Sequence, residues 1–188
     1  MKAIFKPCTL KGNIDAPPSK SMAHRLLICA GLGEGTSRIS GLSYNEDILA
    51  TIDCLRALGA VCKVDGDTVT VTGTKLQTAT PKETLCCRES GSTLRFFVPL
   101  FLLGKQKVTL TGSGRLMERP MEVYQQMCRE RTLLYGQEGD KLYLRGPLQP
   151  GLYQIPGDVS SQFVSGLLFA LPLLEAGSVI SLIPPVAS

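Results

Sequence analysis

Residues 61–73 read Val-Cys-Lys-Val-Asp-Gly-Asp-Thr-Val-Thr-Val-Thr-Gly, and their reading decides the fold. Val61–Val64 and Thr68–Thr72 are short β-rich runs, the second in strict period-two alternation, and Asp65-Gly66-Asp67 between them is turn chemistry. This is a hairpin, closed by Gly73. The same event returns 73 residues later, where Gly139-Asp140 turns a second hairpin over Leu133–Arg145 and Gly146 closes it. Ser21 opens an apolar helix upstream of the first hairpin, and comparable helices open at Ser92 and Ser161, at spacings of 71 and 69. The strands after the first two helices end at Gly41 and Gly112, again 71 apart. A fixed period of this length marks a repeated supersecondary unit.

Each unit reads alike in detail. The first runs through a strand at Leu10–Asp15, a helix at Ser21–Leu32, a strand at Thr36–Ile39 and a helix at Glu46–Leu58 before its hairpin. Asn45 caps that second helix, and Ile48, Ile52 and Leu55 fall on one face of it. The second unit has a strand at Thr84–Cys87, helix Ser92–Leu103, strand Lys107–Thr111 and helix Pro120–Glu130. A third starts at Tyr153 and continues through helix Ser161–Glu175 and strand Ser178–Ile183. The expected fold is α+β, built of βαβαββ units over residues 10–73, 84–146 and 153–188. Because the third unit stops midway, the chain is expected to be part of something longer.

Composition narrows the function classes. Twenty Lys and Arg against 16 Asp and Glu give a net charge of +4 over 188 residues, with 44% hydrophobic and 19% charged residues. That is a globular composition, and its basic residues are too few and too scattered for a nucleic-acid surface. The longest apolar runs, Phe96–Leu103 and Phe163–Leu174, are too short for a membrane span and are broken by Pro99 and Pro172. The first residues lack the apolar core of a signal peptide. Seven cysteines without a C-x-x-C pair, beside a single histidine, argue against a zinc cluster or a Cys–His couple. A reduced, cytoplasmic, metal-free protein is expected, with Cys86, Cys87 and Cys128 as packing residues.

Nucleotide and serine-hydrolase motifs are missing from the sequence. The polar residues instead gather where each unit passes from strand to first helix. The three junctions are Pro17-Pro18-Ser19-Lys20-Ser21-Met22-Ala23-His24-Arg25, Arg88-Glu89-Ser90-Gly91-Ser92-Thr93-Leu94-Arg95 and Gly157-Asp158-Val159-Ser160-Ser161-Gln162. Helix N-termini carry unpaired N–H groups and the positive end of the dipole, so three in register with basic neighbours describe an anion site. Taken singly, Ser21, Ser92 and Ser160 read first as ordinary caps, and only the three in register favour the site. Arg119, just before Pro120, is placed to fork onto a carboxylate or phosphate, or else to sit in solvent.

These motifs resemble the EPSP synthase family, the 3-phosphoshikimate 1-carboxyvinyltransferases. Pro17-Pro18-Ser19-Lys20-Ser21-Met22-Ala23-His24-Arg25 is similar to its P-x-S-K-S-x-x-x-R signature, Arg119-Pro120-Met121 to its R-P-M segment, and Ser160-Ser161-Gln162-Phe163 to its S-S-Q-F segment. The resemblance runs the length of the chain and implies one globe, the N-terminal one of two, in an inside-out α/β barrel. It implies transfer of the enolpyruvyl group of phosphoenolpyruvate to the 5-hydroxyl of shikimate 3-phosphate, through a tetrahedral intermediate and without metal or organic cofactor. By the same resemblance Lys20 is catalytic and touches both substrates. Ser21, Arg25, Ser160, Ser161 and Gln162 hold shikimate 3-phosphate with it, and Gly91, Arg119 and Gln162 hold phosphoenolpyruvate. The partners implied are these small anions and a second, C-terminal globe. Nucleic acid and membrane are not implied, and a monomer is expected for the full-length protein.

The family segment Asn-(Ala or Ser)-Gly-Thr reads Glu89-Ser90-Gly91-Ser92 here, which brings a carboxylate towards the donor pocket. Gly91 keeps a position where a side chain would crowd the donor. His24 is expected as a surface or packing residue. Two other readings stand beside this one. The related UDP-N-acetylglucosamine enolpyruvyl transferase carries Lys-Asn at Lys20-Ser21 and a cysteine before Arg-Pro, and Leu110–Pro120 holds no cysteine. The chain also reads as a non-catalytic anion-binding globe.

Overall fold

The alternation at residues 68–72 is a strand in the computed structural model, which describes residues 3–4, 6–7, 9, 11–74 and 84–186. The first group of elements is α1 (Lys20–Leu32), β1 (Thr36–Ile39), α2 (Glu46–Ala57), β2 (Val61–Asp65) and β3 (Thr68–Thr72). Next come β4 (Leu85–Cys86), α3 (Gly91–Phe101), β5 (Val108–Thr111), α4 (Glu122–Glu130), β6 (Leu134–Glu138) and β7 (Lys141–Arg145). The last are β8 (Leu152–Pro156), α5 (Ser161–Ala170) and β9 (Val179–Ile183). Among the described residues no helix is long and apolar enough to cross a membrane.

The second sheet shares one part of its connectivity with the first and another with the third. Their strand orders are β1-β3-β2, β4-β5-β7-β6 and β8-β9. In the first two, the strand after the first helix pairs antiparallel with the far strand of the hairpin, β1 with β3 and β5 with β7. In the last two, the strand before the helix pairs parallel with the strand after it, β4 with β5 and β8 with β9. Both hairpins turn on a glycine with positive φ, Gly66 at +55° and Gly139 at +57°, which only glycine adopts freely. Both end against the C-terminus of the first helix of their unit, α1 or α3. A Cβ on Gly73 would lie 1.9 Å from the Gly33 carbonyl, and one on Gly146 would lie 1.8 Å from that of Leu102.

The core is one contiguous cluster, and α3 runs through it. Leu94, Phe96, Phe97, Val98, Leu100 and Phe101 are all buried, so this helix is apolar all round rather than striped. Pro99 inside α3 donates no hydrogen bond and leaves the Arg95 carbonyl without its helical partner. Tyr124 of α4, itself fully buried, fills the gap with its hydroxyl, whose single proton is shared between that carbonyl and the Phe163 carbonyl, each at 2.9 Å. Helix α5 packs close to the same point through Gly166.

Several sequence expectations need correction. The strand expected at Leu10–Asp15 is not formed at residues 11–15, while Leu10 lies outside the described residues. Ile14 there is 94% exposed, so no apolar face rewards pairing. The helix expected to reach Glu175 ends as α-helix at Ala170 and tightens into a 3₁₀ turn over Leu171–Leu173. Pro172 supplies no N–H to continue the ladder. Helix α4 begins at Glu122, two residues after the proline expected to start it. Cys87 and Cys128 are buried as expected, but Cys86 is exposed.

Candidate functional site

Each of the three junctions is capped by a serine, though in two cases not the serine singled out from the sequence. Ser19 Oγ accepts from the Met22 N–H at 3.3 Å, Ser90 Oγ from Thr93 at 3.1 Å, and Ser160 Oγ from Gln162 at 3.4 Å. Ser21 and Ser92 are therefore second residues of their helices, not caps. Their hydroxyls stand at the mouth of the site, where Gln162 occupies the same place in α5.

The starts of these helices converge on one cleft of about 470 Å³. Lys20 and Ser21 line it from α1, Gly91 and Ser92 from α3, and Ser160 and Gln162 from the start of α5. Arg119 reaches in from the segment before α4, so close to Gly91 that a Cβ there would lie 2.5 Å from Arg119 Nη1. Among the described residues no carboxylate pairs with Arg119. The Lys20 ammonium, by contrast, is held by Asp47 of α2 at 2.5 Å. Glu89 lines the cleft too, and packs beside Gly114.

Two further groups shape the electrostatics. Arg95 of α3 lines the cleft beside Arg119. Burial first, and the neighbouring Arg119 second, hold its pKa below the usual arginine range. His24 is 1% exposed, and burial pushes its pKa down to about 4, so the ring is neutral near neutral pH. Its Nδ1 meets Thr51 Oγ1 at 2.7 Å, Thr51 meets Thr93 at 2.9 Å, and Thr93 donates to Ser90 Oγ at 2.7 Å. This buried chain ties α1 and α2 to the cap of α3. Among the described residues no cluster of His, Cys, Asp and Glu is arranged to hold a metal ion.

Of the residues expected at the site, the fold brings together Lys20, Ser21, Gly91, Arg119, Ser160 and Gln162. Arg25 and Ser161 do not line the cleft. Arg25 donates to Ser21 Oγ at 2.6 Å and to Ser165 Oγ at 3.2 Å, with its guanidinium 5.2 Å from the Phe96 ring centroid. Ser161, the first residue of α5, is exposed outside it. Asp47, Ser92, Arg95 and His24 line the cleft without having been assigned to it. His24 is no surface residue, because its ring is buried and its Nδ1 continues a buried network, while its Nε2 is buried without a hydrogen-bond partner. Two larger hollows, of about 600 and 530 Å³, lie around Leu174 and Ala176. They lack the convergent donors that an anion needs.

Lysine, arginine and three dipole ends around one polar cleft make a receptor for anionic oxygen. The comparisons agree with that chemistry. A sequence profile described as EPSP synthase (3-phosphoshikimate 1-carboxyvinyltransferase) matches residues 4–187. The 3-phosphoshikimate 1-carboxyvinyltransferase of Clostridium perfringens strain SM101 is 43% identical over 179 residues, covering 94% of this chain and 42% of that protein. That of Clostridioides difficile strain 630 is 39% identical over 183 residues. Among solved structures, EPSP synthase from Acinetobacter baumannii superposes with a TM-score of 0.80 at 25% identity, over 94% of this chain and 41% of that one. The chain thus spans about 42% of the length of the curated relatives it matches. With profile, relatives and fold in agreement, the chain belongs to the EPSP synthase (3-phosphoshikimate 1-carboxyvinyltransferase) family.

Proposed function

We propose that the cleft holds the two anionic substrates of enolpyruvyl transfer, phosphoenolpyruvate and shikimate 3-phosphate. The whole protein would join the enolpyruvyl carbon to the 5-hydroxyl oxygen, then expel inorganic phosphate from the tetrahedral adduct. One observation carries the reading: three helix starts with Lys20, Arg95 and Arg119 point into a single polar cleft. Arg119, with no carboxylate partner among the described residues, is assigned to phosphoenolpyruvate, and Gly91 leaves room for its guanidinium. Lys20 lies between the groups and would exchange Asp47 for substrate. Ser160, Ser161 and Gln162 are assigned to shikimate 3-phosphate with Ser21, whose hydroxyl Arg25 orients. Positioning and preorganised charge supply the rate in such a site.

The chain by itself would bind shikimate 3-phosphate without turning over. Proton transfer to the methylene carbon and from the hydroxyl needs free acid and base groups. The cleft's lining offers two carboxylates, Asp47 and Glu89, the first paired to Lys20 until substrate displaces it, and the remaining acid and base groups are assigned to the part of the protein beyond this chain. The greater part of the relatives' length lies beyond the match. The protein is read as a cytoplasmic monomer acting in the shikimate pathway, with no nucleic-acid or membrane partner. Kinetics of an enzyme carrying this segment test the donor assignment. Arg119→Ala should raise KM for phosphoenolpyruvate far more than KM for shikimate 3-phosphate, since losing a charged contact costs about 2–5 kcal/mol. Equal effects on both would refute it.

A further inference from the structure

The Arg95 guanidinium reaches three places at once. Its Nη1 donates to Gln162 Oε1 at 2.8 Å, its Nη2 donates to the Pro120 carbonyl at 3.2 Å, and its Cζ lies over the Phe163 ring, 4.9 Å from the centroid. Gln162 in turn donates from Nε2 to Ser92 Oγ at 2.9 Å. The network assigns the amide its orientation. A guanidinium only donates, so the Gln162 oxygen faces Arg95 and the nitrogen faces Ser92. One Nε2 proton goes to Ser92 and the second is left for the cleft. Ser92, having accepted, keeps its own proton to donate. The α3–α5 wall is thereby a row of donors.

This arrangement is costly in the empty protein. Arg95 Nε is buried with no hydrogen-bond partner. The guanidinium also sits within the field of Arg119, which carries no ion pair among the described residues. An apolar side chain would fill the space between α3 and α5 at lower cost. Bound anionic oxygen offsets what packing alone does not.

We propose that Arg95 is a positioning residue: it locks the Gln162 amide with its N–H towards the cleft and, through the Pro120 carbonyl, anchors the chain next to Arg119. The wall then selects anionic oxygen by offering donors only. This rests on the anion-binding reading of the cleft and names the residue that sets its polarity.

Two readouts separate the inference from the reading beneath it. The first needs no ligand. The side-chain amide resonances of Gln162 are followed by NMR in isotope-labelled chain and assigned by their loss in Gln162→Met. They should shift and lose exchange protection in Arg95→Met, which keeps the stem, and also in Arg95→Lys, whose ammonium cannot reproduce the fork. The second is calorimetric titration of phosphoenolpyruvate into the same proteins. Affinity should fall roughly tenfold in both Arg95 variants, and at least as far in Gln162→Glu, which turns an acceptor to the cleft. Unmoved Gln162 resonances in a folded Arg95 variant overturn the inference, as does unchanged affinity with the amide displaced. If unsubstituted chain binds no phosphoenolpyruvate, the proposed function fails while the amide readout still decides the lock. Should Arg95→Met not fold, Arg95→Lys carries both measurements.

Discussion

Gly91→Ala separates crowding of the site from damage to the fold. The added Cβ would lie 2.5 Å from Arg119 Nη1 and 3.5 Å from its Cδ and Cζ. Ordinary contact needs about 3.5 Å, so the guanidinium tip has to retreat by about 1 Å. The tip is the free end of a flexible side chain facing a cleft, and its retreat costs little. Alanine in the first turn of α3 also gains up to about 1 kcal/mol of helix propensity over glycine. Stability should therefore stay within about 1 kcal/mol of the parent. Binding should not, because the displaced guanidinium gives up a charge-assisted contact worth about 1.5–3 kcal/mol, roughly tenfold or more in affinity. Calorimetric titration with phosphoenolpyruvate reads the affinity, and urea unfolding reads the stability. Unchanged affinity with Arg119 displaced would refute the donor role of Arg119. A loss of several kcal/mol in stability would show instead that the close approach at Gly91 is structural.

Two other outcomes follow from the packing. His24 titrates near 6.5 when unfolded and at about 4 when folded, so the unfolded chain takes up the proton first as pH falls. Its contribution is intact above pH 6.5 and is lost as pH drops from there towards 4, up to about 3 kcal/mol in all. Urea unfolding across that window should show the fall, and His24→Asn should flatten it; an equally steep fall in the variant would remove His24 as the cause. Gly166→Ala is the counterpart of Gly91→Ala. Its Cβ would meet buried Tyr124 Oη at 2.3 Å and the Arg95 carbonyl at 2.4 Å, where nothing can retreat. A stability loss of about 1–3 kcal/mol is expected in thermal unfolding, and a neutral result would contradict the close α3–α5 contact.

What could be read in advance divides along the range of the forces involved. The hairpin β2–β3 was legible because alternation and turn chemistry are local, and β1 and β3 match their expected limits. The parallel pairing of β4 with β5 joins residues 25 apart across α3, and the residues of the two strands carry no local mark of it. Residues 11–15 carried a strand-like pattern with no partner to bury it. At the site, the junctions were visible but their phase was not. The caps are Ser19, Ser90 and Ser160, at spacings of 71 and 70, and aligning on them makes Ser21, Ser92 and Gln162 equivalent. The same alignment puts His24 and Arg95 at one position, five residues after the cap. Both line the cleft, and that coincidence was the available signal for two residues left unassigned. Asp47 carried no such signal, because its contact with Lys20 spans 27 residues and exists only once α1 and α2 have packed.

The central claim is that this cleft binds a phosphorylated anion through helix starts and their basic neighbours. Calorimetric titration of the chain with shikimate 3-phosphate tests it most directly, with unphosphorylated shikimate as the comparison. The account predicts saturable binding at one site, weakened by added salt as charge screening requires. It further predicts that replacing Ser160 and Ser161 together by Ala weakens shikimate 3-phosphate and leaves the already poor binding of shikimate little changed. Absence of saturable heat, or equal losses for the two ligands, would contradict it.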